Sequence, residues 1–118
     1  MIINKRGHVL FYAPNMFYQA RLPENFTILG VGSASENLVD YLQPNLPDFF
    51  IDNDNSKVGL FHMGRPILSP TILESQKLCD TVILTTLNYH IAIRQIQDCV
   101  FRELFYIIPP SEFLYGFN

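Results

Sequence analysis

One stretch constrains the fold more than any other: Phe26-Thr-Ile-Leu-Gly-Val-Gly-Ser-Ala-Ser-Glu-Asn-Leu-Val-Asp-Tyr-Leu42. An apolar pair, Ile28 and Leu29, runs into a glycine turn, Gly30-Val31-Gly32. A polar step from Ser33 to Glu36 follows, then apolar residues at helical spacing, Leu38, Val39 and Leu42. Paired glycines let a backbone turn sharply and come close to a ligand, so the pattern reads strand, turn, helix. A second apolar run, Phe49-Phe50-Ile51, ends in acids at Asp52 and Asp54. Asp52 follows Gly30 by 22 residues, near the spacing of the acid that takes a ribose hydroxyl pair in a dinucleotide-binding βαβ unit.

The alternation continues to the end of the chain. Strand one is expected at about 26–31 and its helix at about 35–43, stopped by Pro44 and Pro47. Strand two spans about 48–52, and the turn formers of 53–59 make a loop. Gly64-Arg65-Pro66 leads into a short strand at Ile67-Leu68, and Ser69-Pro70 opens a helix at about 70–77. Strand four, residues 81–86, is a β-branched apolar run, as expected where helices cover both sheet faces. Asn88 is placed to cap a helix at about 89–102, and residues 104–108 form the last strand before Pro109-Pro110. This is the outline of an α/β fold: a Rossmann-like three-layer sandwich with a parallel sheet of about five strands, order 3-2-1-4-5. It occupies residues 25–110, after an N-terminal arm (1–24) and before a C-terminal tail (111–118). Within the arm, 8–13 reads as a short strand and 15–22 as a helical turn or two, both packing aromatics on the core or on a neighbouring chain.

Bulk properties narrow the function. The 118 residues suffice for one domain with a real core. A net charge of −3 argues against binding along a phosphate backbone, so no nucleic acid is expected. No apolar stretch is long enough to span a bilayer, and the N-terminus is a poor signal peptide, so the expected location is cytoplasmic, with no membrane contact. Cys79 and Cys99 stand without Cys/His ligand spacing, so no metal site is expected. They read as small buried apolar residues in a reduced compartment.

In an open parallel sheet ligands sit beyond the carboxyl ends of the strands, where the strand order reverses. That rule gathers the turn at 30–35, Asp52–Asn55, Ser69-Pro70 and 85–90. Gly30 and Gly32 would admit a phosphate, and the anion is expected over Gly32–Ser35, including Ser33, at the start of the first helix. Ser35 stands where a third glycine is common, and it can cap the helix. Asp52 and Asp54 can each hold a ribose hydroxyl pair, with Asn53 beside them. The alternative is a polar turn that simply ends a buried strand. No arginine follows at once to meet a 2′-phosphate; Lys57 is the nearest cation. Thr85, Thr86, Asn88 and Tyr89 lie at the mouth with His90, the one candidate for a catalytic base, although a histidine at a helix start is more often structural. No nucleophile elbow or Ser-His-Asp arrangement is visible.

A longer pattern completes the reading: Phe50-Ile-Asp-Asn-Asp-Asn-Ser-Lys-Val-Gly59, Met63-Gly-Arg-Pro-Ile-Leu-Ser-Pro70 and Cys79-Asp-Thr-Val-Ile-Leu-Thr85. Over about residues 26–110 the chain resembles the small Rossmann-like domains of sugar-nucleotide and polysaccharide biosynthesis. These include the N-terminal UDP-binding domain of sugar-nucleotide acetyltransferases and similar domains beside FkbM-type methyltransferases. The resemblance implies that Gly30, Gly32 and Ser33 match the phosphate turn, and that Asp52 and Asn53 match the loop on the ribose or base. The chain lacks the Gly-Gly-His run often found in that turn. It stops before a hexapeptide-repeat β-helix, so acetyl transfer by this chain alone is not implied.

Three functions follow as expectations. The first is an accessory, non-catalytic module that binds a small-molecule nucleotide ligand, a UDP-type nucleotide-sugar first and NAD second, in sugar or polysaccharide biosynthesis. Its partner would be a transferase or a second copy in a homo-oligomer. The second is a fragment of an NAD-linked oxidoreductase or epimerase, which would need a further region to hold its substrate. The third is a structural interaction domain with an empty glycine turn, suggested by the aromatic residues in 8–18 and 113–117.

Overall fold

The structure is a computed structural model that describes residues 2–4, 7–11 and 22–115. The strands run in chain order as β1 (Ile2–Asn4), β2 (Gly7–Phe11), β3 (Thr27–Leu29), β4 (Phe49–Ile51), β5 (Phe61–His62), β6 (Arg65–Leu68), β7 (Thr81–Leu84) and β8 (Leu104–Ile108). The α-helices are α1 (Ser33–Leu42), α2 (Tyr89–Cys99) and the short α3 (Glu112–Tyr115). A 3₁₀ helix spans Pro70–Glu74.

These strands form one sheet in the order β1-β2-β8-β7-β3-β4-β6-β5. The stretch β6-β4-β3-β7-β8 is the expected order 3-2-1-4-5, and its pairings are all parallel. The sheet is one parallel strand wider than expected. Gly7–Phe11, within the expected arm, pair with β8 from Gly7 opposite Leu104 to Phe11 opposite Ile108. Antiparallel β1 and β5 finish the two edges. Apart from Leu22, the helical turn expected over 15–22 lies outside the described residues.

The alternation of side chains along a strand explains why the central strands β3, β4, β7 and β8 are almost wholly apolar. Neighbouring residues point to opposite sheet faces, and here both faces are covered. On one face Leu29, Ile51, Val82, Leu84 and Tyr106 pack with Ala92, Ile93 and Ile96 of α2 and with Leu73 of the 3₁₀ helix. On the other, Ile28, Phe50, Ile67, Ile83 and Ile107 pack with Leu38, Val39 and Leu42 of α1 and with Phe113 of α3. Phe113 is fully buried and meets Tyr41 edge-on, ring centroids 5.3 Å apart, so this part of the tail packs on the core.

Two expected helices come out shorter. The segment 70–77 is a single 3₁₀ stretch ending at Glu74. Arg102 holds the residues after it, donating to the carbonyls of Leu73 at 3.0 Å, Cys79 at 2.9 Å and Lys77 at 3.1 Å. The helix expected to reach 102 ends at Cys99, because Val100 turns extended (φ −123, ψ 120) and is buried. Among the described residues, no helix is long and apolar enough to cross a membrane.

Candidate functional site

The strand order reverses between β3 and β7, and the tips of these strands are fastened there by hydrogen bonds. The Leu29 carbonyl accepts from the Thr85 backbone N–H at 3.0 Å and from its hydroxyl at 2.8 Å. The Gly30 N–H donates to the Ile51 carbonyl at 3.0 Å, tying β3 to β4 on the other side. Gly30 has φ +115, a conformation that favours glycine. The chain can therefore leave β3 abruptly, and a cleft of about 330 Å³ opens beyond the strand ends.

Four parts of the fold wall this cleft. Leu29, Gly30 and Val31 form the tip of β3, and Asp52, Asn53 and Lys57 come from the loop after β4. Thr85 and Thr86 follow β7, and α2 contributes one face at helical spacing, Asn88, Ile91, Ala92 and Gln95. Of the expected site residues, Gly30, Asp52, Asn53 and Thr86 therefore meet in one place. The sequence reading missed Ile91, Ala92 and Gln95. The spacing 88, 91, 92, 95, counted from the expected helix cap, was the signal that could have found them.

Local bonds shape the acidic loop. The Asp52 carboxylate accepts the Asp54 N–H at 2.8 Å, and its other oxygen lies 3.9 Å from the Lys57 ammonium. The Asp52 side chain keeps 15% of its surface exposed, against 42% for Lys57, and a pair so open to water contributes little stability. Its weight is chemical: the cleft holds a carboxylate and an ammonium side by side. Asp54 turns into its own loop, accepting the Ser56 hydroxyl at 2.7 Å and the Ser56 N–H at 3.0 Å. Those bonds hold its carboxyl below the ordinary range, and it does not line the cleft. Asn53 donates to the Gln95 side-chain carbonyl at 2.7 Å, joining the β4 loop to α2.

The start of α1 lies beside the cleft, outside its lining. Gly32 is the N-cap in extended backbone, so Ser35 is not the cap but the third helical residue. Its side chain is fully buried. The Ser35 hydroxyl donates to the Gly32 carbonyl at 2.8 Å and accepts the Gly32 N–H at 3.0 Å. It also meets His62 Nε2 at 2.9 Å, while the His62 ring stands edge-on to Phe50 with centroids 4.7 Å apart. With the hydroxyl hydrogen on Gly32, the His62 contact needs its hydrogen on Nε2. Ser35 thus braces the glycine turn and ties it to the β5–β6 hairpin. Ser33 is exposed at the first helical position, where helix geometry leaves backbone N–H groups without an intrahelical partner.

His90 is exposed, packs on the Tyr89 ring at 4.2 Å and does not line the cleft. The residues that do line it include no histidine or cysteine. Cys79 is buried and its thiol is pushed up to about 11, chiefly by loss of hydration. Cys99, half-buried, is raised in the same direction for the same reason. Among the described residues no group of three or more His, Cys, Asp or Glu is placed to hold a metal ion.

No protein-family model matches the chain, and no curated protein matches it. Among solved structures it is similar to UDP-D-quinovosamine 4-dehydrogenase from Vibrio fischeri, with 24% identity and a TM-score of 0.53 over 78% of this chain and 84% of that one. A likeness at that identity speaks for the fold. Together with the observed strand order, the glycine turn after the first core strand and the crevice at the reversal point, it makes this a Rossmann-like α/β domain.

Proposed function

We propose that this domain binds a nucleotide and carries no chemistry of its own, with a UDP-type nucleotide-sugar as first ligand and NAD as second. The observation that carries this reading is the convergence of Gly30, Asp52 and Thr86 on one cleft at the point where the strand order reverses. A ribose diol would take the Asp52 carboxylate, and the phosphates would lie toward Gly32–Ser35, over the exposed start of α1. Lys57 adds a cation within the same cleft. The structural neighbour is a dehydrogenase of a UDP-sugar by name, which supports the ligand class. In this reading the domain works in the cytoplasm, in sugar or polysaccharide biosynthesis, beside a transferase or a second copy of itself.

Calorimetric titration of the full chain with UDP, UDP-sugars, NAD, coenzyme A and S-adenosylmethionine tests the proposal. UDP-bearing ligands should bind, and Asp52→Asn should weaken them about tenfold, the worth of a hydrogen bond to a charged group. Because the asparagine carbonyl can still accept the Asp54 N–H, the loop is kept. Binding of NAD alone would move the reading to the oxidoreductase class. Silence from every ligand would leave the cleft as scaffold.

A further inference from the structure

We propose that Asn53 and Gln95 together read the base of the bound nucleotide; this rests on the nucleotide reading of the cleft and extends it to base specificity. Gln95 sits two turns into α2, on the same helix face as Asn88, Ile91 and Ala92. That face carries the amide away from the β7 tip and toward the β4 loop. There it accepts from Asn53 at 2.7 Å. Both residues are exposed and both line the cleft. An amide–amide bond open to water adds little to stability, because water replaces it at small cost. It does fix two flexible side chains in place before a ligand arrives, which lowers the cost of ordering them on binding.

The bonded pair leaves a definite set of free groups. Asn53 keeps its carbonyl oxygen as an acceptor, and Gln95 keeps its NH₂ as a donor. An acceptor and a donor on one cleft wall match the edge of a nucleobase. Phosphate offers acceptors only, and a ribose diol already has its partner in Asp52. The preceding residue is that same Asp52, so a ribose held there places its base next to Asn53. Ile91 and Ala92 supply an apolar wall for the ring face. At about 330 Å³ the cleft has room for a base and its ribose. The imide edge of uracil, the base of the first proposed ligand, matches the pair: its N–H donates to Asn53 Oδ1, and its adjacent carbonyl accepts from Gln95 Nε2.

The test compares three probes on the full chain: UDP, ADP and ribose 5-phosphate, which has no base. The wild type should prefer UDP to ADP. Gln95→Glu replaces the donor with a second acceptor on an exposed helix position, so the fold should persist, as circular dichroism would verify. This variant should lose about tenfold in UDP affinity and keep its ribose 5-phosphate affinity. In the wild type, the side-chain NH₂ cross-peaks of Gln95 and Asn53 in ¹H–¹⁵N spectra should move with UDP and stay still with ribose 5-phosphate. Equal UDP affinity in Gln95→Glu and wild type, or an equal loss for UDP and ribose 5-phosphate, would overturn the base-reading role while nucleotide binding stands. No binding of any probe to the wild type would remove both readings at once.

Discussion

The Thr85 hydroxyl fills the space that a β-carbon on Gly30 would need, and it is fixed there by its 2.8 Å bond to the Leu29 carbonyl. Swinging the threonine aside would break that bond at the junction of β3 and β7. Gly30→Ala therefore meets two obstacles, a positive φ and an occupied site. We expect a loss of about 2–4 kcal/mol by denaturant unfolding. In a Thr85→Ala background the same change should cost less, with a coupling of about 1 kcal/mol or more in a double-mutant cycle.

Gly32 is the opposite case. Nothing lies within 4 Å of a β-carbon built there, and its backbone is extended (φ 166). Gly32→Val should change stability by less than about 1 kcal/mol. If the phosphates lie over the start of α1, the isopropyl group stands in their way, and UDP affinity should fall at least tenfold by calorimetry. An unchanged affinity would move the anion to the Lys57 side of the cleft.

Ser35→Gly would restore the third glycine common in such turns. Here it should harm the protein, because the buried hydroxyl serves the Gly32 N–H, the Gly32 carbonyl and His62. The Gly32 carbonyl would keep the Glu36 N–H at 3.1 Å, but the Gly32 N–H and His62 would lose this partner, and a cost of about 1–3 kcal/mol is expected. Thermal unfolding measures it, and stability equal to wild type would show the brace to be dispensable.

Arg102→Ala should destabilise the chain by about 2–3 kcal/mol, the scale of a hydrogen bond to a charged group. Its guanidinium ties Leu73, Lys77 and Cys79 together from the segment between α2 and β8. Arg102→Lys should recover less than half of the loss, since a lysine lacks the planar fork. Urea unfolding of the three proteins decides this.

Cys79 gives a pH signature. Its thiol is raised from 9.0 to about 11 in the folded chain, so between those values the unfolded state releases the proton first. The stabilisation is complete below pH 9 and declines as pH rises through 11. Cys79→Ala should flatten that alkaline decline in stability. At pH 8, alkylation should reach Cys79 only as fast as the chain opens, while half-buried Cys99 reacts sooner.

The order of the five core strands was legible because β3, β4, β7 and β8 are apolar, mostly buried runs, while β6, with Arg65 exposed, is bracketed by the turn formers Gly64 and Ser69-Pro70. β2 was not placed in the sheet because its partner, β8, lies at the far end of the sequence, and no local pattern announces such a pairing. The β5–β6 hairpin escaped for another reason. Its strand is two residues long, and its turn relies on Met63 at φ 50 ahead of Gly64, an uncommon conformation for a residue with a side chain. At the site, Gly30, Asp52, Asn53 and Thr86 followed from the rule about carboxyl strand ends. Ser35 was read as a cap because serine favours helix starts, yet the extended Gly32 took that place and left the hydroxyl to brace the turn. Gln95 was invisible to any rule about strand ends, since a helix face brings it to the cleft.

The pairing of β2 with β8 also decides how the protein behaves when proteolysed. Cleavage within 12–24 followed by loss of the N-terminal piece would uncover five consecutive residues of β8, Leu104 to Ile108. Four of them are apolar and buried within the sheet layers. A bare, flat strand of that composition is a template for pairing with another chain. β2, backed by β1, therefore covers that strand against self-association, and a preparation that has lost both should precipitate as fibrous β-aggregates rather than persist as a smaller domain.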